Sequence, residues 1–151
     1  MPQMRFNHME LTHARGELNE ERRVDLRRFY GDVLGWTIAD VPLLGQSTCF
    51  LAPDDGQFIL LAEADEPIQS PGYDHLGLLL ETRAEVDEVL EACKKFSATD
   101  DRMRIKYYDD IVQGPVTVHA FYVKYLLPIY FDIQCMEWEP GSRPTRRWIY
   151  S

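Results

Sequence analysis

Apolar positions along this chain change their period several times, and each change marks an element. Residues 5–12 alternate and predict a strand. The stretch "ARGELNEERRVDLRRFYGDVLGW" then takes up helical spacing, with Val24, Leu26, Phe29, Val33 and Leu34 on one side and Gly35 as the C-terminal stop. Its acids and bases predict a solvated outer face supported by i,i+4 pairs. "WTIADV", "STCFLA" and "QFILLAEA" read as strands, the last two joined by the turn "PDDG", where proline sets φ and glycine permits a positive one. This is one β-α-β-β-β unit.

After the turn-rich connector "DEPIQSPG" the order begins again. "YDHLGLLLE" reads as a strand and "TRAEVDEVLEACKKF" as a helix, with Thr82 as N-cap and Glu85 completing a capping box. Strands follow at "RMRIKYYDD", "VTVHAFYVKY" and "IYFDIQCMEW"; the tail, residues 139–151, either packs on the body or frays. Neither copy has enough apolar surface to stand alone, so the two predict an α+β domain with a pseudo-twofold axis.

Length and composition narrow the function. With 151 residues and 45% hydrophobic content, a single domain with a full core is expected. Sixteen Lys and Arg against 25 Asp and Glu give a net charge of −9, which repels phosphate backbones and anionic lipid. No nucleic-acid or membrane partner is therefore expected. Cys49, Cys93 and Cys135 are far apart and lack C-x-x-C spacing, so they read as small buried hydrophobes in a reducing compartment. No signal-like apolar core and no run of about 18 apolar residues occurs, which places the protein in the cytoplasm. A phosphate-cradling glycine loop, G-x-S-x-G and a nucleotide fingerprint are all missing.

Candidate chemistry rests on an echo: "FNHMEL" begins at Phe6 and "YDHLGL" at Tyr73. Side chains alternate along a strand, so Phe6, His8 and Glu10 share one face, and Tyr73, His75 and Gly77 share the matching one. Leu76, Leu78 and Leu80 take the opposite side, toward a helix. Both histidines then project away from the helices, where two curved sheets brought together would form a cleft. A lone strand histidine is more often a structural hydrogen-bonding group; repetition at the same point of both copies makes these two ligand candidates. His13 reads as a loop residue.

The repeated order, "NHMELT", "RRFYGDVLGW" and "DHLGLLLET" together resemble the vicinal oxygen chelate superfamily, over roughly residues 5–137. That group includes glyoxalase I, fosfomycin-resistance proteins, extradiol ring-cleaving dioxygenases and bleomycin-binding proteins. The resemblance implies a single glyoxalase-like domain over 1–151. Its tandem βαβββ modules, about 5–66 and about 73–138, would form a curved mixed sheet around a cleft, helices outside. It also implies metal ligands on the first and last strands of each module. "AFYVKYLLPIYFDIQ" parallels the last hairpin of the dioxygenases and puts the carboxylate at Asp132, one carbon shorter than the usual Glu, with "YLLP" in place of a D-P-x-G turn. Alternation independently groups Asp132 with Tyr130 and Gln134, and turns Phe131, Ile133 and Cys135 toward a helix. The same count in the first module lands on Leu60, so a fourth ligand is missing, and Glu63 reads as a solvated strand-end acid.

By this resemblance His8, His75 and Asp132 hold a divalent ion, Fe(II) or Mn(II) favoured and Zn(II) or Ni(II) allowed, with about half the coordination sphere open to two neighbouring substrate oxygens. Ligation needs neutral imidazole, so binding should weaken below about pH 6. Tyr107, Tyr108, His119, Tyr122, Tyr130 and Trp36 are expected to border the cleft. His119 and Tyr130 are the candidates for proton transfer and substrate hydrogen bonding, although alternation in "TVHAFY" leaves the face of His119 open. Two functions follow: a metal-dependent dioxygenase, lyase or isomerase acting on a small organic molecule, or a metal-free small-molecule binder of the bleomycin-resistance type. Modules in this group pair within one chain or across two, so a homodimer is one of two arrangements.

Overall fold

The computed structural model describes residues 4–145, so the end of the tail, 146–151, lies outside the described residues. Two mixed sheets form. The first contains β1 (His8–Ala14), β2 (Thr37–Leu43), β3 (Gln46–Asp54) and β4 (Gln57–Ala64) in the order β1-β4-β3-β2. The second contains β5 (His75–Leu79), β6 (Arg104–Tyr107), β7 (Ile111–Gln113), β8 (Val116–Lys124) and β9 (Tyr130–Trp138) in the order β5-β9-β8-β6, with β7 also on β8. In each, the first strand runs parallel to the last and lies at the sheet edge. One helix follows each first strand, giving the α+β, doubled βαβββ architecture that the periodicity predicts. The expected strand "RMRIKYYDD" is shorter, ending at Tyr107, and β7 is an addition.

Helix α1 (Glu20–Leu26) starts at Asn19, whose side chain accepts from the Arg22 N–H, and continues into a π-helical turn over Arg27–Gly31. Gly35, at φ 72°, then lets the Trp36 N–H reach Tyr30 O at 2.9 Å. Leu26, Phe29 and Tyr30 are buried while Val24, expected on the same side, is 51% exposed, because it lies about 200° round the helix from Leu26. The charge run departs from its expected role too. Arg23 is buried and donates to Leu18 O and Ser47 O while pairing with Asp40, and buried Asp25 meets Arg102 at 2.8 Å. These are tertiary anchors, longer in range than i,i+4 pairs. Helix α2 (Arg83–Ser97) carries the expected capping box of Thr82 and Glu85.

Both modules bury their apolar faces in one cluster. Leu11, Leu51 and Leu61 of the first sheet join Phe121, Phe131 and Ile133 of the second through residues of the helices. Aromatic rings make the joint: Phe29 lies 5.0 Å from Phe96 and 5.2 Å from Tyr125, and Tyr30 lies 5.9 Å from Phe131 while its hydroxyl donates to Tyr125 O at 2.7 Å. Helices therefore meet between the sheets, and the other face of each sheet turns away from the shared core and from its counterpart. Cys49, Cys93 and Cys135 are free and buried, and burial pushes the Cys49 thiol up to about 11 and that of Cys93 to about 12. Among the described residues no helix is long and apolar enough to cross a membrane.

Since Phe29 is fully buried at the joint, Phe29→Ala should cost about 3–5 kcal/mol, and Tyr30→Phe, which strands the Tyr125 carbonyl, about 1–2 kcal/mol. Urea unfolding should show both modules still melting in one transition; separate transitions would contradict a shared core.

Candidate functional site

Strand pairing assembles the outward face of the second sheet. His75 lies opposite Tyr130, Gly77 opposite Asp132, and Asp132 opposite Tyr122, which in turn pairs with Lys106. The period of two keeps all of these on one side. His75 Nε2 stands 3.9 Å from Asp132 Oδ2, and the His75 ring stacks on Tyr122 at 4.9 Å. Tyr73 and Tyr130 stand 5.3 Å apart, and Tyr108 meets Tyr122 edge-on at 5.1 Å.

Each polar atom at this centre has one side committed. The Nδ1 of His75 faces Tyr73 O at 2.8 Å; a carbonyl only accepts, so Nδ1 carries the proton and Nε2 keeps its lone pair. Tyr108 donates to Asp132 Oδ1 at 2.7 Å and leaves Oδ2 toward His75. Asp132 is only 7% exposed. Burial raises its pKa, opposed by the Tyr108 hydrogen bond and the nearby His75. Burial and the adjoining carboxylate together push the Tyr108 phenol far up, so it stays a donor.

His8 sits on the first sheet, on the face that also turns outward. Its Nδ1 faces Asn7 Oδ1 at 2.8 Å, and Asn7 Nδ2 donates to Gly56 O at 2.7 Å, which fixes the amide and makes Nδ1 the protonated nitrogen. Its ring stacks on Phe58 at 4.8 Å. Register equates the modules: Leu60 lies opposite Glu10, two residues past His8, as Asp132 lies opposite Gly77, two past His75. The structure thus brings His75 and Asp132 together and leaves His8 apart; no group of three metal-ligating side chains forms within the described residues of one chain.

The other expected residues divide. Tyr108, Tyr122 and Tyr130 share the face of Asp132, whereas Trp36 packs on Phe131 and Tyr107 approaches Lys94. His119 shares the parity of Phe121 and Val123 and so faces helix α2, where Nε2 meets Asp87 and Nδ1 meets Asp110, each at 2.8 Å. Burial works against its charge, yet these hydrogen bonds raise its pKa. His119 is an ion-pair residue remote from the Asp132 face, which corrects the expectation that it borders the cleft. Glu63, expected to be solvated, accepts from the Leu18 N–H at 2.8 Å. His13, expected in a loop, ends up in β1 and is 5% exposed. Lys106 was not singled out; its Nζ lies 3.6 Å from the Tyr73 ring, and the alternation of Arg104, Lys106 and Tyr108 was the available signal. Asn7 left none.

No family model and no curated protein matches the chain. Among solved structures, a glyoxalase family protein from Bacillus anthracis has 16% identity and a TM-score of 0.63, covering 91% of this chain and 98% of that one. A glyoxalase/bleomycin resistance protein/dioxygenase from Nocardioides has 13% identity and a TM-score of 0.60, covering 98% and 92%. The fosfomycin resistance protein FosX from Listeria monocytogenes has 17% identity and a TM-score of 0.60, covering 89% and 94%. At these identities the likeness is one of fold: the chain shares the architecture of these three structures.

A raised pKa at Asp132 means the folded state holds that proton more tightly than the unfolded one, so wild-type stability falls as pH rises through the window between the two values. Asp132→Asn keeps an acceptor for Tyr108 without the buried charge. It should match or exceed wild-type stability at pH 7, by no more than about 1 kcal/mol, with the gain vanishing in acid. Urea unfolding at both pH values tests this, and a variant much weaker at pH 7 would contradict it.

Proposed function

We propose that this protein is a divalent-metal-dependent enzyme acting on a small organic substrate through two adjacent oxygens, in clefts each built from two copies of the chain. One observation carries the reading: three donor side chains have one atom fixed and the ligating atom free. His8 and His75 commit Nδ1 to Asn7 Oδ1 and Tyr73 O, and Asp132 commits Oδ1 to Tyr108. Metal-binding histidines and carboxylates are oriented by second partners of this kind.

The donor set fits a metal. The 3.9 Å between His75 Nε2 and Asp132 Oδ2 is about 1 Å more than adjacent ligands at bonds of about 2.1 Å would show, so a small side-chain movement would bring both to one ion. His8 cannot join them in its own chain, because the shared core turns the two faces apart. A twofold-related copy would bring its His8 to this pair and receive the reciprocal contact, and β1 and β5 are edge strands free to meet there. Two imidazoles and a carboxylate suit Fe(II) or Mn(II) best and admit Zn(II) or Ni(II).

When bound, the ion supplies Lewis acidity to the two substrate oxygens. The chain's own residues do the remaining work. Tyr73, Tyr122 and Tyr130 offer ring faces to an apolar or planar portion. Tyr108 holds the carboxylate in place. Tyr130 lies opposite His75 in the sheet and its hydroxyl makes no hydrogen bond among the described residues, so it is the group to hydrogen-bond substrate or pass a proton. The free, buried thiols suit a reducing compartment, and we place the protein in the cytoplasm.

The tyrosine-lined face alone favours a second reading, a metal-free small-molecule binder. Metal analysis of protein purified without chelator, with sizing, separates the two. The enzyme reading expects a dimer with stoichiometric metal, lost in His8→Ala and in Asp132→Ala. Mixed dimers of His8→Ala and His75→Ala subunits should regain half of it, because one cleft then collects both defects. Wild-type protein that takes up none of Fe(II), Mn(II), Zn(II) or Ni(II) would leave the binder.

A further inference from the structure

A cavity of about 580 Å³ opens where the two modules meet, lined among others by His13 of β1, Arg22 of α1, Arg104 of β6 and Lys124 of β8. Its cations differ from most others in this protein. Arg15, Arg23 and Arg83 each pair with a carboxylate. Arg22, Arg104 and Lys124 instead donate to backbone carbonyls: Arg22 Nη1 to Leu126 O at 3.3 Å, Arg104 Nη1 to Met103 O at 3.0 Å and to Asp101 O, and Lys124 Nζ to Pro128 O at 2.9 Å. Carbonyls hold these groups in place without cancelling their charge. Arg102 also lines the cavity, but Asp25 and Asp100 take its charge, and Glu17 is the one acid in the lining.

His13 supplies an independent sign. It is 5% exposed, and its Nε2 is buried without a hydrogen-bond partner among the described residues, while Nδ1 stands 3.6 Å from Glu17 Oε2. Native proteins rarely leave a buried polar atom unpaired unless something else pairs with it. A net −9 chain whose cavity sets such an atom beside Arg22, with Arg104 and Lys124 in the same lining, has the makings of an anion site.

We propose that this seam binds a small oxyanion carrying two charges, such as the phosphate or sulfate group of a metabolite, held by Arg22, Arg104 and Lys124 with His13 Nε2 as a further donor. The site shares none of His8, His75 and Asp132, Lys124 Nζ lying 5.3 Å from the Tyr130 ring at its border, and it does not depend on the metal reading. In the free protein, burial and the adjacent Arg22 lower the His13 pKa, against the pull of Glu17 and Glu63. A bound dianion reverses that balance: the ring takes up a proton, donating from Nδ1 to Glu17 and from Nε2 to the anion. Affinity should therefore rise as pH falls.

Sulfate is a suitable probe, because it does not titrate near neutrality. Chelator-treated, nitrogen-15-labelled full-length protein is titrated with sodium sulfate, against sodium chloride at equal ionic strength, while the His13 ring nitrogens are followed by NMR. The expected result is a saturable shift with one site per chain, tightening by up to about tenfold per pH unit lowered. Arg22→Gln and Lys124→Gln should each weaken it about tenfold, and His75→Ala should leave it unchanged. An equal response to chloride, unaltered affinity in the Arg22→Gln/Lys124→Gln double variant, or loss in His75→Ala would each overturn the proposal.

Discussion

The contact of Phe29 and Tyr30 with Phe96, Tyr125 and Phe131 fixes the direction in which every other face of the molecule points. Each sheet has an apolar side, and both sides need covering. The aromatic layer covers them at once, each ring pair contributing about 0.5–1.5 kcal/mol beyond its buried area. Strand geometry then leaves no freedom. With Leu11, Phe131 and Ile133 in the shared core, the residues one step away, among them Asp132, must face outward. A one-residue slip in β9 would bury the carboxylate among the helices. The core and the candidate site are therefore two consequences of one register.

Against this near-symmetry, the modules differ where chemistry would be done. Both hold a histidine by its Nδ1, but the equivalent position further along carries Leu60 in the first and Asp132 in the second. Their surroundings differ likewise. His8 stacks on Phe58, which stacks on Phe50 at 4.5 Å, whereas His75 stacks on Tyr122 among phenolic hydroxyls. A cleft pairing these unlike halves has one apolar wall and one wall rich in hydrogen-bonding groups. Such a lining suits a small, largely carbon-based ligand oriented by a few polar atoms.

Much of this was legible because it rests on short-range rules. Period-two alternation placed His75, Tyr130 and Asp132 on one face, and the capping chemistry of Thr82 and Glu85 needs only neighbours in sequence. What escaped was set by partners distant in the chain. Val24 looks like a core position, but it lies about 200° round the helix from Leu26, and the second module covers the Leu26 side. Arg23 and Asp25 look like surface charges until Asp40 and Arg102 arrive beside them. His119 could not be assigned a face without the register of β8, and how the modules meet is encoded in no local pattern.

The same constraint accounts for where uncompensated charge accumulates. Two sheets packed on a common helical layer cannot also close at the edge where the connector passes, so a wedge remains between the end of β1 and the β8–β9 turn. Cations there cannot be paired from within either sheet, since the strand ends offer carbonyls. The chain's net −9 does not prevent an anion from settling at that point. At physiological ionic strength, fields beyond about 8 Å are largely screened, and in the cavity lining Arg22, Arg104 and Lys124 outnumber Glu17, with Glu63 a further acid acting on His13. Distant acidity limits how often an anion arrives; the local cations govern how long it stays.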